Sequence, residues 1–146
     1  MTNNASQPHR PQDFAYLIDQ FTQTTPGVTH TLLLSSDGLP LTACGMTPEI
    51  EDKLAASISG LLALGANVAT CVGQPGCEHI HLRFPAGHFV FMRVGNLAGL
   101  GVLANEKAQI GLVASQMARL VESVGRWLTP QARQDLSDAA TAGRRP

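Results

Sequence analysis

The chain has 146 residues, 44% of them hydrophobic, and a formal net charge of −1, which fits a single domain with enough apolar content for a core. Its 10 basic and 11 acidic residues form no basic run and no aromatic platform, so composition gives no support for nucleic-acid binding. Three cysteines, Cys44, Cys71 and Cys77, lack scaffold spacing and fit a reducing compartment.

The first ten residues are polar and hold no apolar signal core, so the expectation is a flexible N-terminal segment (1–10) on a cytoplasmic protein. Phe14, Leu17, Ile18 and Phe21 recur at helical spacing and predict a short amphipathic helix over Asp13–Phe21. Thr25-Pro26-Gly27 ends it. Val28–Ser35 reads as a strand, Ser36-Asp37-Gly38 as a turn that uses glycine's access to positive φ, and Leu39–Cys44 as the returning strand. Pro40 has no N–H to donate, which places this strand at a sheet edge or Pro40 among its first residues.

Thr47 caps the next helix, with Pro48 at its first position, and the helix is expected to run to about Thr70. From Leu54 to Cys71 it contains no charged residue and no histidine. On a wheel of about 100° per residue, Leu54, Ile58, Leu61, Leu62 and Val68 fall on one face. Ala55, Ala56, Ser59, Gly60, Ala63, Ala66, Asn67 and Thr70 fall on the other. A surface helix ordinarily turns charges to water on its second face. Small neutral residues there instead suit the close approach of a second helix, and Ala55, Ser59, Ala63 and Ala66 are the expected contact. A core helix buried on all sides is the alternative, but a small domain has little room for one. A membrane span is disfavoured, because Ser57, Ser59, Asn67 and Thr70 dilute the apolarity and basic flanking is thin.

Cys77–Phe84 alternates, with Ile80 and Leu82 on one face and His79, His81 and Arg83 on the other. His88–Val94 is apolar on both faces and so more central. Leu97–Ala104 carries Gly99 and Gly101, which marks a central strand with something packed close on it. Asn105 is expected to cap a final helix, Glu106–Leu128, with Ile110, Val113, Met117, Leu120, Val121, Val124 and Leu128 as its stripe. The order α-β-β-α-β-β-β-α predicts an α+β fold, a five-stranded antiparallel sheet sandwiched between helices. The domain spans 11–130, and a flexible tail, 131–146, follows.

No constellation carries an obvious reaction. Cys71, Cys77, His79 and His81 have the side chains of a zinc site, but neighbours on one strand face stand about 6–7 Å apart, so no metal is expected. Ser35 and Ser36 before Asp37 are hairpin chemistry rather than a nucleophile. Gly99-x-Gly101 lacks the rest of a dinucleotide fingerprint, and no phosphate-binding loop occurs. No cofactor and no enzymatic activity are expected.

The motifs together resemble the Roadblock/dynein light chain family, in its bacterial branch of GTPase regulators. Pro26-Gly27-Val28 leads into the first strand, and Ser35-Ser36-Asp37-Gly38 with Leu39-Pro40-Leu41 resembles the family's S-x-D-G hairpin. Ser59-Gly60-Leu61 lies in the crossover helix, and Leu103-Ala104 runs into the last helix. Gly111-Leu112-Val113 and Leu128-Thr129-Pro130 resemble versions from actinobacterial multi-gene GTPase modules. The resemblance implies a profilin-like architecture and a homodimer. In that dimer the Cys77–Phe84 strands would pair across a two-fold, through an edge bearing Ile80 and Leu82, and the crossover helices would lie side by side. It also implies that the paired helices form a platform for a small Ras-like GTPase, with a sensor-kinase-like protein as a second partner and recruitment to a membrane through partners. On this chain the platform would be Glu49, Ile50, Glu51, Asp52, Lys53 and Ser57. The acids among them also suit the helix dipole, and the two roles are compatible. Arg83 and Arg93 are arginine-finger candidates by residue type only. A small PAS-like or profilin-like sensory module that binds a ligand is the alternative reading; it calls for a closed apolar pocket with convergent polar groups.

Overall fold

A computed structural model describes residues 10–144. The elements are α1 (Pro11–Thr24), β1 (Val28–Ser35), β2 (Pro40–Cys44), α2 (Pro48–Cys71), β3 (His79–Phe84), β4 (Gly87–Val94), β5 (Ala98–Asn105), α3 (Ile110–Trp127) and α4 (Pro130–Arg144). The five strands form one sheet in the order β2-β1-β5-β4-β3, and every neighbouring pair is antiparallel. The α+β sandwich expected from the sequence is the fold observed. Of the expected flexible segment 1–10, residues 1–9 lie outside the described residues.

Two apolar clusters hold the sandwich together. On one side of the sheet, α1, α3 and α4 contribute Phe14, Ile18, Val113, Met117, Val124 and Leu136 against Leu33, Val90, Met92 and Val102. On the other side α2 lies alone, with Ala55 and Ile58 packed on Leu32, Leu34, Phe89 and Phe91. The glycines of β5 make room for this second layer. A Cβ on Gly99 would overlap the Phe91 ring, and one on Gly101 would stand 3.0 Å from the Phe89 ring.

The hairpin between β1 and β2 seats α2. Gly38 takes φ 86°, its N–H donates to the Ser35 carbonyl at 3.0 Å, and the Ser35 hydroxyl donates to Asp37. A Cβ on Gly38 would lie 2.9 Å from Ser59 Cβ, so the S-x-D-G sequence shapes a turn on which the helix rests. Pro40 is the first residue of β2, and β2 is an edge strand, where a missing N–H costs least.

Two expectations are corrected. Asn105 does not cap the last long helix. Its side chain accepts from the Lys107 N–H at 3.0 Å and its carbonyl accepts from Ala108, which closes a turn. The helix then starts at Ile110, with Gln109 at the cap position. The segment 131–144, expected as part of a flexible tail, is helical, and residues 145–146 lie outside the described residues. That helix, α4, packs against β2 and α1 and buries Ala132 and Leu136 in the first cluster. Thr129 caps it through a hydrogen bond from the Ala132 N–H at 3.0 Å.

Candidate functional site

The candidate site is α2 together with the β3 edge. Thr47 caps the helix, accepting from the Ile50 N–H at 3.4 Å, with Pro48 in the first turn. Glu49 and Glu51 in that turn suit the positive end of the helix. Gly73, at φ 73°, follows the last turn and lets the chain reverse.

Only Ala55, Ile58 and Ala69 of this helix are buried, with Leu54 and Leu62 half-buried beside them. The faces predicted from the sequence therefore need revision. Val68, expected toward the core, is 63% exposed, whereas Ala55, expected at an intermolecular contact, is fully buried against the sheet of its own subunit. Ala55 leaves the contact set for that reason. Ser59 is half-buried over the hairpin, and Ala63 and Ala66 are exposed.

The structure reveals a seam that the two-face division missed. Ile50, Leu54, Ser57, Leu61, Leu64, Val68 and Cys71 follow one another at alternating steps of four and three residues. That is the 3.5-residue period of helices that pair along their length. Ile50, Leu64 and Val68 on it are 52%, 63% and 63% exposed, and Val72 at its end is 65% exposed. By length and composition α2 could also cross a membrane, but one side of it is packed on the sheet.

β3 is the free edge of the sheet next to this helix. Ile80 and Leu82 turn to the α2 side and pack half-buried against the second cluster. Phe84 continues that side and is 47% exposed. His79, His81 and Arg83 point to the opposite side and are exposed. His81 meets His88 of β4, with Nε2 and Nδ1 3.0 Å apart and the rings stacked. Cys77 instead lies against Gly65 of α2, so the zinc-type residues of the sequence are not brought together. Among the described residues no group of three or more histidine, cysteine or acidic side chains could hold a metal.

The platform residues separate in the same way. Glu49, Ile50, Asp52, Lys53 and Ser57 are exposed on the first turns of α2, and Glu51 is half-buried in the groove beside Thr42 and Ala43. Glu49 and Lys53 form an ion pair at 3.3 Å between well-exposed side chains, which contributes little to stability. Cys44, at the far side of the sheet, has its thiol pKa raised, by burial first and then by a hydrogen bond to Asp19 and that residue's charge. Its thiolate is disfavoured, which does not suit a nucleophile.

Residues 14–104 match the model of the Roadblock/LC7 domain. Among solved structures, a Roadblock/LC7 domain from Streptomyces avermitilis is 30% identical, with a TM-score of 0.74 over 78% of this chain and 96% of its own. Myxococcus xanthus MglB is 17% identical, with a TM-score of 0.74 over 82% of this chain and 90% of its own. Acanthamoeba castellanii profilin IA shares the fold at 18% identity, with a TM-score of 0.51 over 77% of this chain and 97% of its own. None of the curated proteins matches the chain.

Proposed function

Because this chain belongs to the Roadblock/LC7 domain family, we propose that it is a non-enzymatic homodimer that regulates or scaffolds a small Ras-like GTPase. The observation that carries the dimer is the uncovered apolar seam of α2 beside the free edge of β3. Leu64, Val68 and Val72 are each more than 60% exposed, and with Phe84 they form a patch of the kind that marks interaction sites on soluble proteins. A second copy meets both needs at once. Its α2 covers the seam from Leu61 to Val72, leaving the first turns of the helix free, and its β3 pairs antiparallel along the edge, so unpaired strand groups and apolar side chains are satisfied by one two-fold. Ile80 and Leu82 lie where the sheet would become continuous, and Ala63 and Ala66 flank the helix contact.

The GTPase partner rests on the family, and the outer face of α2 is the surface offered to it. Glu49, Asp52 and Lys53 stand in solvent around Ile50, an arrangement that suits a basic rim meeting a small apolar anchor. Two copies of this face adjoin the two-fold, so one GTPase would span both subunits. The protein would act by binding one nucleotide state more tightly than the other, since equal binding shifts nothing. A sensor-kinase-like protein is a second candidate partner, and the cytoplasm the proposed location.

Charge reversal tests the platform. Glu49→Lys with Asp52→Lys leaves the seam and the core untouched. Association with the GTPase should slow by at least about tenfold at low salt, with a weaker salt dependence, while the dimer persists. Equal rates and equal salt slopes for wild type and variant would remove the first turns of α2 from the interface.

A further inference from the structure

Beneath the C-terminal half of α2, where the helix passes the hairpin end of the sheet, lies a cavity of about 230 Å³. Its existence follows from the sequence. Gly99 has no side chain, so the Phe91 ring occupies the space its Cβ would take and forms part of the wall. Leu62 closes the helix side. Gly65 lets Cys77 approach to about van der Waals distance, with Sγ 3.0 Å from where a Cβ would stand, which draws the loop before β3 across the end.

The other wall is polar and cationic. Arg93, on β4, lines the cavity beside Ser36 and Asn96, and no acidic residue lines it. The Arg93 backbone N–H donates to the Glu78 carbonyl at 3.1 Å, which anchors the residue. Its guanidinium lies over Gly76, with Nη1 3.4 Å from where a Cβ on that glycine would stand. Among the described residues it forms no ion pair, and it stands exposed at the cavity rim with Ser36 and Asn96. A guanidinium, a hydroxyl and an amide thus line one rim of the cavity, where a ligand would replace their water.

A guanidinium presents a planar fork that matches a carboxylate or phosphate with two parallel hydrogen bonds. The opposite wall, Leu62 and Phe91, suits an apolar body. The volume equals that of about eight waters at ~30 Å³ each and falls below the ~300–1,000 Å³ of drug-sized sites, which excludes a nucleotide. We infer that the cavity binds a small organic acid, its carboxylate on Arg93 and its short apolar body against Phe91 and Leu62. Such a site stands whether or not a GTPase binds the outer face of α2.

The experiment is an NMR titration of the full chain with benzoate, butyrate, butyramide and inorganic phosphate. Benzoate or butyrate should shift the amide signals of Cys77, Asn96 and Gly99 saturably, and butyramide, which lacks the charge, should not. Arg93→Gln should raise Kd by at least about tenfold, a free-energy loss of roughly 1.4 kcal/mol. Because Arg93 is exposed and anchored through its backbone, this variant should keep the wild-type spectrum. No saturable shift, equal binding of butyramide, or equal binding by Arg93→Gln would overturn the site. Phosphate binding as tightly as benzoate would overturn the organic-acid assignment in favour of a bare oxyanion.

Discussion

Leu64→Glu combined with Val68→Glu should convert the protein from a dimer into a folded monomer. Both side chains are 63% exposed in the subunit, so the change costs the isolated fold little, within about 0.5 kcal/mol for a surface site. In a paired seam they sit against the second helix. An unpaired charge buried there costs about 3–5 kcal/mol, which is two orders of magnitude or more in Kd at about 1.4 kcal/mol per factor of ten. Light scattering reads the mass, and circular dichroism with a melting curve reads the fold. Ile58→Glu is the contrasting control: that residue is fully buried on the sheet, so its replacement should unfold the subunit rather than dissociate it. A wild-type monomer at micromolar concentration, or a doubly charged variant that stays dimeric, would rule out the seam.

Leu136→Ala should destabilise the fold by about 2–5 kcal/mol, the range for deleting a buried leucine side chain. Leu136 is 1% exposed and packs, with Ala132, in the cluster beneath α1 and α3. In a chain of this size each kcal/mol lowers Tm by about 2–4 °C, so the shift should stand clear of error in a thermal scan. Were the last residues a mobile tail, the substitution would leave Tm unchanged.

The strands were legible because each carries a clear period and a bounded turn. His79–Phe84 alternates, Gly38 and Gly95 sit at positive φ, and the two apolar strands fell at the centre of the sheet. The faces of α2 were harder, and the reason is physical. With no charge between Leu54 and Cys71, nothing in the sequence marks which side meets water. Two apolar stripes overlap there: a core stripe through Ile58 and Ala69, and a seam through Leu61, Leu64 and Val68. A two-face division assigns Val68 to the wrong stripe and places Ala55 outside the core. Counting steps of four and three from Ile50 would have separated them.

The fourth helix was illegible for the opposite reason. Between Gln131 and Arg144, Leu136 is the only large apolar residue, and a single anchor gives no period. Its burial depends on β2 and α1, which no local reading supplies. The cavity at Arg93 was equally hidden, since Ser36, Leu62, Cys77 and Arg93 come together only when α2 crosses the sheet. By residue type alone Arg93 is an arginine-finger candidate, and the neighbours that give it a role lie far from it in the sequence.

Two copies of this chain are proposed to form one platform for a small Ras-like GTPase. Sedimentation of the pure protein mixed with small Ras-like GTPases of the same cell, each loaded with GDP or with a non-hydrolysable GTP analogue, tests it most directly. The expected result is a complex of two subunits with one GTPase, with affinity that differs between the two nucleotide states. No complex in either state, or equal affinity in both, would contradict it.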